Sequence, residues 1–224
     1  MTNFQFQNIE TSSEEDFINN SVSLLVEKIN RCIEKNEKCS LGLSGGSTPR
    51  KVYEELGKKD IDWSKVTVFL VDDRYVPRDH EDSNQKLLDE TLLKNVDPNV
   101  IFPDTSLEIE KCIDDYEKHL PSEVDIVVLG MGGDGHVASL FPGDIDALTE
   151  ENKKVLHTTT DSFAVKDRIT VTMPFLKSAG TIIFLIKGED KVKVFNKMTS
   201  ANVDIIEYPV HGVLATGRTV WIIG

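Results

Sequence analysis

The 224-residue chain has few cysteines and no long apolar run. Its cysteines, Cys32, Cys39 and Cys112, are odd in number and far apart, which argues against a disulfide framework and indicates a reducing compartment. The apolar runs hold about six residues, against the roughly 20 that span a bilayer. The first sixteen residues have neither a basic flank nor an apolar segment of the kind found in a signal peptide. We therefore expect a soluble, cytoplasmic protein.

Basic residues are also scarce, since 25 Lys and Arg stand against 38 Asp and Glu and leave a net charge of -13. A strongly acidic surface repels nucleic acid and anionic membranes, so neither is expected as a partner. An anionic substrate would have to be held by arginine, lysine and backbone N–H groups gathered at one place. Each basic residue close to a glycine-rich loop is therefore a candidate ligand.

Hydrophobic periodicity predicts strands that alternate with amphipathic helices in one domain over residues 1–224, since no repeat or Pro/Gly/Ser-rich linker divides the chain. This alternation predicts an α/β fold with a mostly parallel, doubly wound sheet and helices on both faces. The predicted strands are 39–44, 66–72, 124–130, 155–160, 168–173, 181–188 and 220–224. The predicted helices are 13–35, 48–56, 83–94, 109–120 and 189–198.

Three unusual segments follow predicted strands directly: SGGSTP at 44–49, DDRYVP at 72–77 and GMGGDGHVASLFPG at 130–143. In open α/β sheets, binding sites form in loops beyond the carboxyl ends of the strands. We therefore expect the three segments to share one site.

The third segment contains the spacing G-x-G-x-x-G at Gly130, Gly132 and Gly135. A dinucleotide-binding loop with this spacing needs a long helix after the third glycine and an acidic residue about 20 residues further on. Here Phe-Pro-Gly at 141–143 follows almost at once, and the next predicted strand ends near Asp161, too far from the loop. No dinucleotide cofactor is therefore predicted, although the glycines allow backbone amides to approach a ligand closely.

The same loop places Asp134 two residues before His136. A histidine titrates near pH ~6.5 in general and suits proton transfer at neutral pH, and a neighbouring carboxylate can orient its ring. His136 is therefore a candidate general base, the alternative being a histidine that acts only as a structural hydrogen-bond donor.

SGGSTP allows two functional interpretations. As G-x-S-x-G it would be a nucleophile elbow in which Ser44 attacks and His136 is the base. As a phosphate cradle it would present backbone amides and hydroxyls at the start of a helix that contains Pro49 in its first turn. The cradle is favoured because elbows follow several strands, whereas this loop follows the first clearly predicted one. The cradle residues are Gly45, Gly46, Ser47 and Thr48, and a plain glycine turn remains the alternative.

In DDRYVP, Asp72, Asp73 and Arg74 stand at the end of a strand, where Arg74 can recognise a phosphate or carboxyl group. A metal site built from Asp72, Asp73 and His80 is an alternative, but no recognisable ligand spacing supports it. Arg168 and Lys191 lie near predicted strand boundaries and can supply positive charge, although exposed surface charge is the usual role of such residues.

In sequence order, LGLSGGSTP, VDDRYVP with a downstream SNQ, VVLGMGGDGHVASLFPG, RITVTMPFL and IKGEDK resemble the 6-phosphogluconolactonases. These belong to the glucosamine-6-phosphate isomerase/6-phosphogluconolactonase superfamily. The resemblance covers roughly residues 15–223. It implies hydrolysis of 6-phospho-D-glucono-1,5-lactone to 6-phospho-D-gluconate in the oxidative pentose phosphate pathway. It further implies a site without metal and a sugar phosphate as the small-molecule partner. We expect no cofactor, and a monomer or weak homodimer.

The resemblance also assigns roles to residues. His136, Asp134, Arg74 and Asp73 would be catalytic, although the lactonases more often have Glu where this chain has Asp73. The substrate-binding residues would be Gly45, Gly46, Ser47, Thr48, Asp72, Arg168 and Lys191.

The deaminase branch of the superfamily resembles the chain in the same loops and is the nearest alternative. It has Asp-Glu-Tyr where this chain has Asp-Asp-Arg at 72–74, and Phe-Asn-Glu-Pro-Gly after the Gly-His loop. This chain has Ala-Ser-Leu-Phe-Pro-Gly at 138–143. The resemblance therefore favours the lactonase, and a protein that binds a sugar phosphate without turning it over is the remaining alternative.

Overall fold

A parallel sheet of seven strands lies at the centre of the protein, with a second, three-stranded sheet beside it. The structure is a computed structural model that describes residues 6–200, 202, 204–216 and 219–224. The described strands are β1 (Gln7–Ile9), β2 (Cys39–Leu43), β3 (Val66–Leu70), β4 (Asp72–Arg74), β5 (Asn99–Ile101), β6 (Ile126–Leu129), β7 (Val155–Thr159), β8 (Asp167–Val171), β9 (Thr181–Leu185) and β10 (Thr219–Ile223).

The large sheet has the order β1-β10-β9-β6-β2-β3-β5, and every neighbouring pair is parallel. From β2 the chain proceeds through β3 to β5 at one edge, and from β6 it proceeds through β9 to β10 in the other direction. The order therefore reverses between β2 and β6. In such sheets a crevice opens at the point of reversal, beyond the carboxyl ends of the strands.

Helices cover both faces of the large sheet, as predicted from the sequence. The side chains of β6 show how one strand serves both faces, because Ile126 and Val128 pack into one hydrophobic cluster and Val127 and Leu129 into the other. The described helices are α1 (Glu14–Asn36), α2 (Ser47–Leu56), α3 (Asn84–Glu90), α4 (Ile109–His119), α5 (Ile145–Thr149), α6 (Met173–Ser178), α7 (Glu189–Ser200) and α8 (Val210–Leu214). The first three pack on one face, and the buried residues of the other five belong to the cluster on the opposite face.

The ends of the helices follow local capping rules. The Ser13 hydroxyl accepts the N–H of Asp16 and begins α1, and Glu37 in a left-handed conformation ends it. Ser83 likewise begins α3 by accepting the N–H of Lys86. The helix predicted over 83–94 is split, because α3 ends at Glu90 and a separate 3-10 turn covers Leu92–Lys94.

The second sheet was not anticipated from the sequence. It has the order β4-β8-β7 and is antiparallel throughout. The strand predicted over 66–72 is in fact divided at Val71, whose N–H bonds the carbonyl of Leu43 in the large sheet and whose carbonyl accepts the N–H of Val171 in the small one. Val71 is therefore the corner at which the chain passes from one sheet to the other.

No helix in the described parts of the chain combines the length and apolar character needed to cross a membrane.

Candidate active site

A cavity of about 720 Å³ lies at the reversal point of the large sheet. The small sheet forms another part of its wall, through Asp72 and Arg74 of β4 and Arg168 of β8. The structure brings ten of the eleven residues predicted for the site to this cavity. They are Gly45, Gly46, Ser47, Thr48, Asp72, Arg74, Asp134, His136, Arg168 and Lys191.

One end of the cavity is formed by the N-terminus of α2, which begins directly after β2. The N-cap residue, Gly46, has no side chain to occupy the free amides of the first turn. The amides of Gly45 and Gly46 donate no hydrogen bond to any residue that the structure describes. Free N–H groups at a helix N-terminus carry partial positive charge and bind anions, so this end of the cavity is suited to a phosphate group.

Two arginines face the same space from the small sheet. Arg74 and Arg168 are direct partners across the antiparallel pair β4 and β8, an arrangement in which like charges destabilise the sheet. Arg74 is partly compensated, because its Nη1 donates to the carbonyl of Asp82 at 2.6 Å. An anion that binds between the two guanidinium groups would relieve their repulsion.

Arg168 has no comparable hydrogen bond. It is only 5% exposed, its Nε is buried without a partner, and its guanidinium makes no hydrogen bond or ion pair with any described residue. Burial, and then the charge of Arg74, lower the pKa of Arg168 below its ordinary value. A buried charge is costly unless it is paired. The part of the cavity wall that β8 contributes therefore carries a desolvated cation, and Lys191 in the first turn of α7 adds a further positive charge to the wall.

His136 and Asp134 form a pair on the glycine loop that follows β6. Nδ1 of His136 lies 2.6 Å from Oδ1 of Asp134, and the same oxygen accepts the backbone N–H of His136 at 3.2 Å. Burial raises the pKa of Asp134, but the hydrogen bonds and charge of His136 outweigh it and lower this pKa below its ordinary value. Asp134 is therefore ionised at neutral pH and accepts a proton held on Nδ1. In the neutral ring this leaves Nε2 unprotonated and able to accept a proton.

The glycine at position 132 is required by this pair. A Cβ on Gly132 would lie 2.2 Å from two atoms of the His136 ring and 2.5 Å from Oδ1 of Asp134. The Gly132 amide also donates to the carbonyl of His136 at 3.0 Å. The loop therefore folds back on itself, and the His136 ring lies directly against the backbone of Gly132.

Asp73 is the predicted site residue that does not reach the cavity. Successive side chains of a strand point to opposite sides, so β4 directs Asp72 and Arg74 to the cavity and Asp73 away from it. Asp73 is 1% exposed and accepts the backbone N–H groups of Arg74, Asn84 and Gln85. Burial raises its pKa to about 7, against the lowering effect of these N–H groups. The carboxylate thus joins β4 to the start of α3, and the structure does not place it where it could touch a substrate.

Asp72 is held at the cavity by Ser139, whose hydroxyl donates to Oδ2 of Asp72 at 2.6 Å. Oδ1 of Asp72 accepts no hydrogen bond from a described side chain or backbone group. This oxygen remains available to a hydroxyl group of a ligand.

Asn84 was missed as a site residue, although the sequence motif SNQ contains it. It lines the cavity, is 2% exposed, and donates through Nδ2 to the carbonyl of Asp72 at 2.8 Å. Its Oδ1 accepts Nη1 of Arg74 at 3.4 Å and would lie 1.8 Å from a Cβ placed on Gly45. Asn84 therefore joins the loops after β2 and β4. The sequence signal that could have pointed to it is the predicted helix cap at Ser83, which places Asn84 at the start of α3.

Two aromatic residues close to His136 were also missed. The rings of Phe141 and Phe163 have their centroids 5.2 Å and 5.8 Å from that of the imidazole. Phe141 belongs to the glycine loop. Phe163 lies in the exposed loop between β7 and β8, where no periodicity marks it in the sequence.

The two alternative interpretations of the glycine loops find little support. No long helix follows Gly135, since the next helix is the five-residue α5 that begins at Ile145. This agrees with the prediction that the loop is not a dinucleotide-binding fingerprint. Ser44 lines the cavity, but no hydrogen bond joins its hydroxyl to His136 within the described part of the chain, as a nucleophile elbow would require.

The metal site considered at Asp72, Asp73 and His80 is not assembled. His80 lies outside the cavity lining and accepts the N–H of Asp82 through Nδ1. Within residues 6–200, 202, 204–216 and 219–224, Cys32, Cys39 and Asp125 are the three potential metal ligands whose donor atoms lie within 4.8 Å of one another. Cys39 and Asp125 stand at the amino ends of β2 and β6, and Cys32 lies near the end of α1, so the group is at the edge of the sheet opposite the cavity.

Comparison with known protein families gives one match over most of the chain. A family model described as glucosamine-6-phosphate isomerases/6-phosphogluconolactonase matches residues 12–221. A protein of Dictyostelium discoideum named probable 6-phosphogluconolactonase is 37% identical over 224 residues, which cover 95% of each chain. A 6-phosphogluconolactonase of Thermotoga maritima is 35% identical over 94% of this chain and 96% of that protein.

Solved structures show the same fold. The crystal structure of a 6-phosphogluconolactonase from Shewanella baltica has a TM-score of 0.90 at 28% identity and covers 97% of this chain and 98% of that chain. The crystal structure of the Thermotoga maritima protein has a TM-score of 0.85 at 28% identity and covers 98% of this chain and 100% of that chain. The mostly parallel α/β architecture described above is therefore shared with these lactonases.

Proposed function

The chain belongs to the glucosamine-6-phosphate isomerase/6-phosphogluconolactonase family, and on that premise we propose that it hydrolyses 6-phospho-D-glucono-1,5-lactone to 6-phospho-D-gluconate. The observation that carries the proposal is the composition of one cavity. A carboxylate-oriented histidine and a set of groups suited to a phosphate lie on the walls of the same space. A sugar-phosphate lactone presents both a phosphate and an ester-like carbonyl.

Binding begins with the phosphate. Its oxygens accept the free amides of Gly45 and Gly46 and the hydroxyls of Ser47 and Thr48, while Arg168 and Lys191 supply charge. The desolvated guanidinium of Arg168 gains a charge-assisted contact of the kind that is shorter and stronger than a neutral hydrogen bond. Anchoring the phosphate orients the lactone carbonyl and converts the reaction with water into a step between positioned groups.

His136 then acts as the general base. Its Nε2 removes a proton from water as the water oxygen forms a bond to C1 of the lactone, and the carbonyl electrons move onto the carbonyl oxygen. Asp134 holds the ring through Nδ1 and stabilises the imidazolium that forms. Amides of the glycine loop, together with Arg74, stabilise the negative oxygen of the tetrahedral intermediate.

The intermediate collapses by breaking the bond between C1 and the ring oxygen. The imidazolium of His136 delivers its proton to that oxygen, which becomes the C5 hydroxyl of the open chain. The new carboxylic acid at C1 loses its proton to solvent. The histidine returns to its starting form, and the released acid is the measurable product.

The rival reaction of the family is the conversion of glucosamine 6-phosphate to fructose 6-phosphate and ammonia. Ring opening and isomerisation need a further acid/base group after the Gly-His loop. The cavity residues that this chain supplies there, Ala138, Ser139 and Phe141, do not ionise at neutral pH. The cavity geometry therefore favours hydrolysis over deamination.

One experiment separates the three functions. The protein is given freshly generated 6-phosphogluconolactone in the presence of a chelator, and acid release is followed after subtraction of the spontaneous rate. In parallel, ammonia release from glucosamine 6-phosphate is measured. Chelator-resistant acid release without ammonia is expected. Ammonia release would support the deaminase, and binding of 6-phosphogluconate without either activity would support a non-catalytic sugar-phosphate-binding protein.

A further inference from the structure

Phe163 lies at the tip of the hairpin formed by β7 and β8 and is 44% exposed. Its ring does not join either hydrophobic cluster of the protein. It lines the cavity instead, and its neighbours are functional groups. The Arg168 guanidinium carbon lies 5.4 Å from the ring centroid and over the ring, and the His136 ring meets it edge to face.

Among the described residues, the hydrogen bonds and ion pair of the hairpin tip lie at its base. The N–H of Thr160 donates to the carbonyl of Lys166, and Lys166 and Asp161 form an exposed ion pair at 2.6 Å. No hydrogen bond joins residues 163–165 to any other described part of the protein. The ring contacts are therefore what holds Phe163 over the cavity.

The contact with Arg168 has a chemical consequence. A guanidinium group within about 6 Å of the face of an aromatic ring is attracted to it electrostatically, and its N–H groups can still donate to a planar or tetrahedral anion. The ring also keeps water from that face of the cation, and electrostatic attraction strengthens as water is excluded. Arg168 has no described hydrogen bond or ion pair, and the Phe163 ring lies within cation–π distance of its guanidinium.

We propose that Phe163 is a positioning residue that makes the site selective for phosphorylated substrates, because it fixes and shields the Arg168 guanidinium at the phosphate-binding end. This inference rests on the proposed function for the identity of the substrate. Phe163 acts through Arg168 and takes no part in the chemistry. Its loss weakens the binding of ligands that carry the phosphate and leaves ligands without it unaffected.

Binding and turnover of Phe163→Ala, Phe163→Leu and Phe163→Tyr are compared with those of the parent. For Phe163→Ala, the dissociation constant of 6-phosphogluconate, measured by calorimetry, is expected to rise by roughly 3- to 30-fold. KM for the phosphorylated lactone rises in parallel, and kcat changes less than about twofold. Phe163→Tyr retains the aromatic face and should bind 6-phosphogluconate as the parent does, and the dissociation constant of Phe163→Leu should lie between those of the parent and Phe163→Ala. The matched control is Ile145→Ala, which removes another exposed apolar side chain outside the cavity lining and leaves all constants unchanged.

Two further measurements show whether Phe163 acts through Arg168. In an Arg168→Met background, Phe163→Ala is expected to cause no further loss of 6-phosphogluconate affinity. If Arg168→Met does not fold, the same question is tested with a substrate that lacks the phosphate and so cannot use Arg168. The kcat/KM of the unphosphorylated gluconolactone should then be the same for parent and Phe163→Ala. Equal losses for both lactones, or unchanged 6-phosphogluconate binding in Phe163→Ala, would overturn the proposal. Absence of lactone turnover in the parent would instead refute the proposed function, and the calorimetric comparison would still test Phe163.

Discussion

Replacing Asp134 by asparagine isolates the charge that Asp134 contributes to the His136 pair. The amide oxygen of asparagine can still accept the proton on Nδ1, so the orientation of the ring is retained and only the charge is lost. Hydrogen bonds to charged groups contribute about 1.5–3 kcal/mol in general. The Asp134 side chain is 45% exposed, so solvent screening weakens its interaction with His136. We therefore take about 1–2 kcal/mol as its contribution, which lies near the lower end of that general range.

This free energy corresponds to a fall in kcat of about 5- to 30-fold, because the lost charge stabilises the imidazolium only once the proton has been transferred. KM for the phosphorylated lactone should stay within about twofold, since the phosphate-binding groups lie elsewhere in the cavity. The assay is acid release from freshly generated lactone in a weakly buffered solution, with the spontaneous rate subtracted. Asp134→Ala, which removes the orienting oxygen as well, should lose more activity than Asp134→Asn.

The chain offers a matched control for this variant. Asp167 accepts a similar contact from Nε2 of His157 at 2.8 Å, is 53% exposed, and does not line the cavity. Asp167→Asn should leave kcat unchanged. A kcat for Asp134→Asn within twofold of the parent, or a loss that appears in KM and not in kcat, would refute the assignment of Asp134 as the partner that stabilises the charged histidine.

Three other changes have defined outcomes. Arg168→Met should raise KM for the phosphorylated lactone by about 10- to 100-fold, on the ~1.5–3 kcal/mol scale of charged hydrogen bonds, and should leave kcat/KM for unphosphorylated gluconolactone nearly unchanged. Gly132→Ala should lower kcat at least about tenfold with little change in KM, because its Cβ displaces the His136 ring that it would otherwise meet at 2.2 Å. Asp73→Asn should flatten the pH dependence of stability. The folded-state pKa of Asp73 is raised to about 7, so between about pH 4 and 7 the folded protein binds a proton that the unfolded chain does not. The bound proton therefore stabilises the folded protein at low pH, and this contribution to the free energy of unfolding declines as the pH rises, by at most about 1.4 kcal/mol for each pH unit. Urea unfolding of parent and variant at pH 5 and at pH 8 measures the decline, which should be smaller in Asp73→Asn.

The fold class and the place of the site follow from simple sequence rules. Periodicity predicted five of the seven described parallel strands and the five longest helices, and Ser13 and Ser83 marked helix starts through their capping chemistry. The short strands β1 and β5 and the short helices α5, α6 and α8 were not predicted, because elements of three to six residues carry too little periodicity. The rule that loops at the carboxyl ends of parallel strands lie together predicted that the segments after β2, β3 and β6 would share a cavity. The described structure brings residues of all three to one space.

The features that the sequence did not reveal depend on long-range pairing. Residues 66–74 form one apolar and acidic run, and nothing in that run shows that Val71 bonds Leu43 in one sheet and Val171 in another. Because β4 begins directly after Val71 and its side chains alternate, Asp73 faces α3 while Asp72 and Arg74 face the cavity. Adjacent acidic residues therefore have different surroundings. A sequence pattern cannot report these pairings, because the partners lie 28 and 100 positions away.

Side chains that support the site were missed for a related reason. Asn84 contacts the loop after β2 across about 40 residues of chain, and Phe163 contacts Arg168 only because the hairpin of β7 and β8 folds over the cavity. Neither has a distinctive spacing from the residues it serves. Such positions become visible only when burial and contact geometry are known.

The role of His136 is tested most directly by the turnover of freshly generated 6-phosphogluconolactone, with chelator present, by the parent protein and by His136→Asn. We expect chelator-resistant hydrolysis by the parent and a kcat lower by ~10²–10⁴-fold in His136→Asn, with 6-phosphogluconate binding retained. His157→Asn, which disrupts a comparable histidine–aspartate pair outside the cavity lining, should keep full activity. A His136→Asn protein that hydrolyses the lactone at close to the parent rate would contradict the central claim that this histidine activates the attacking water.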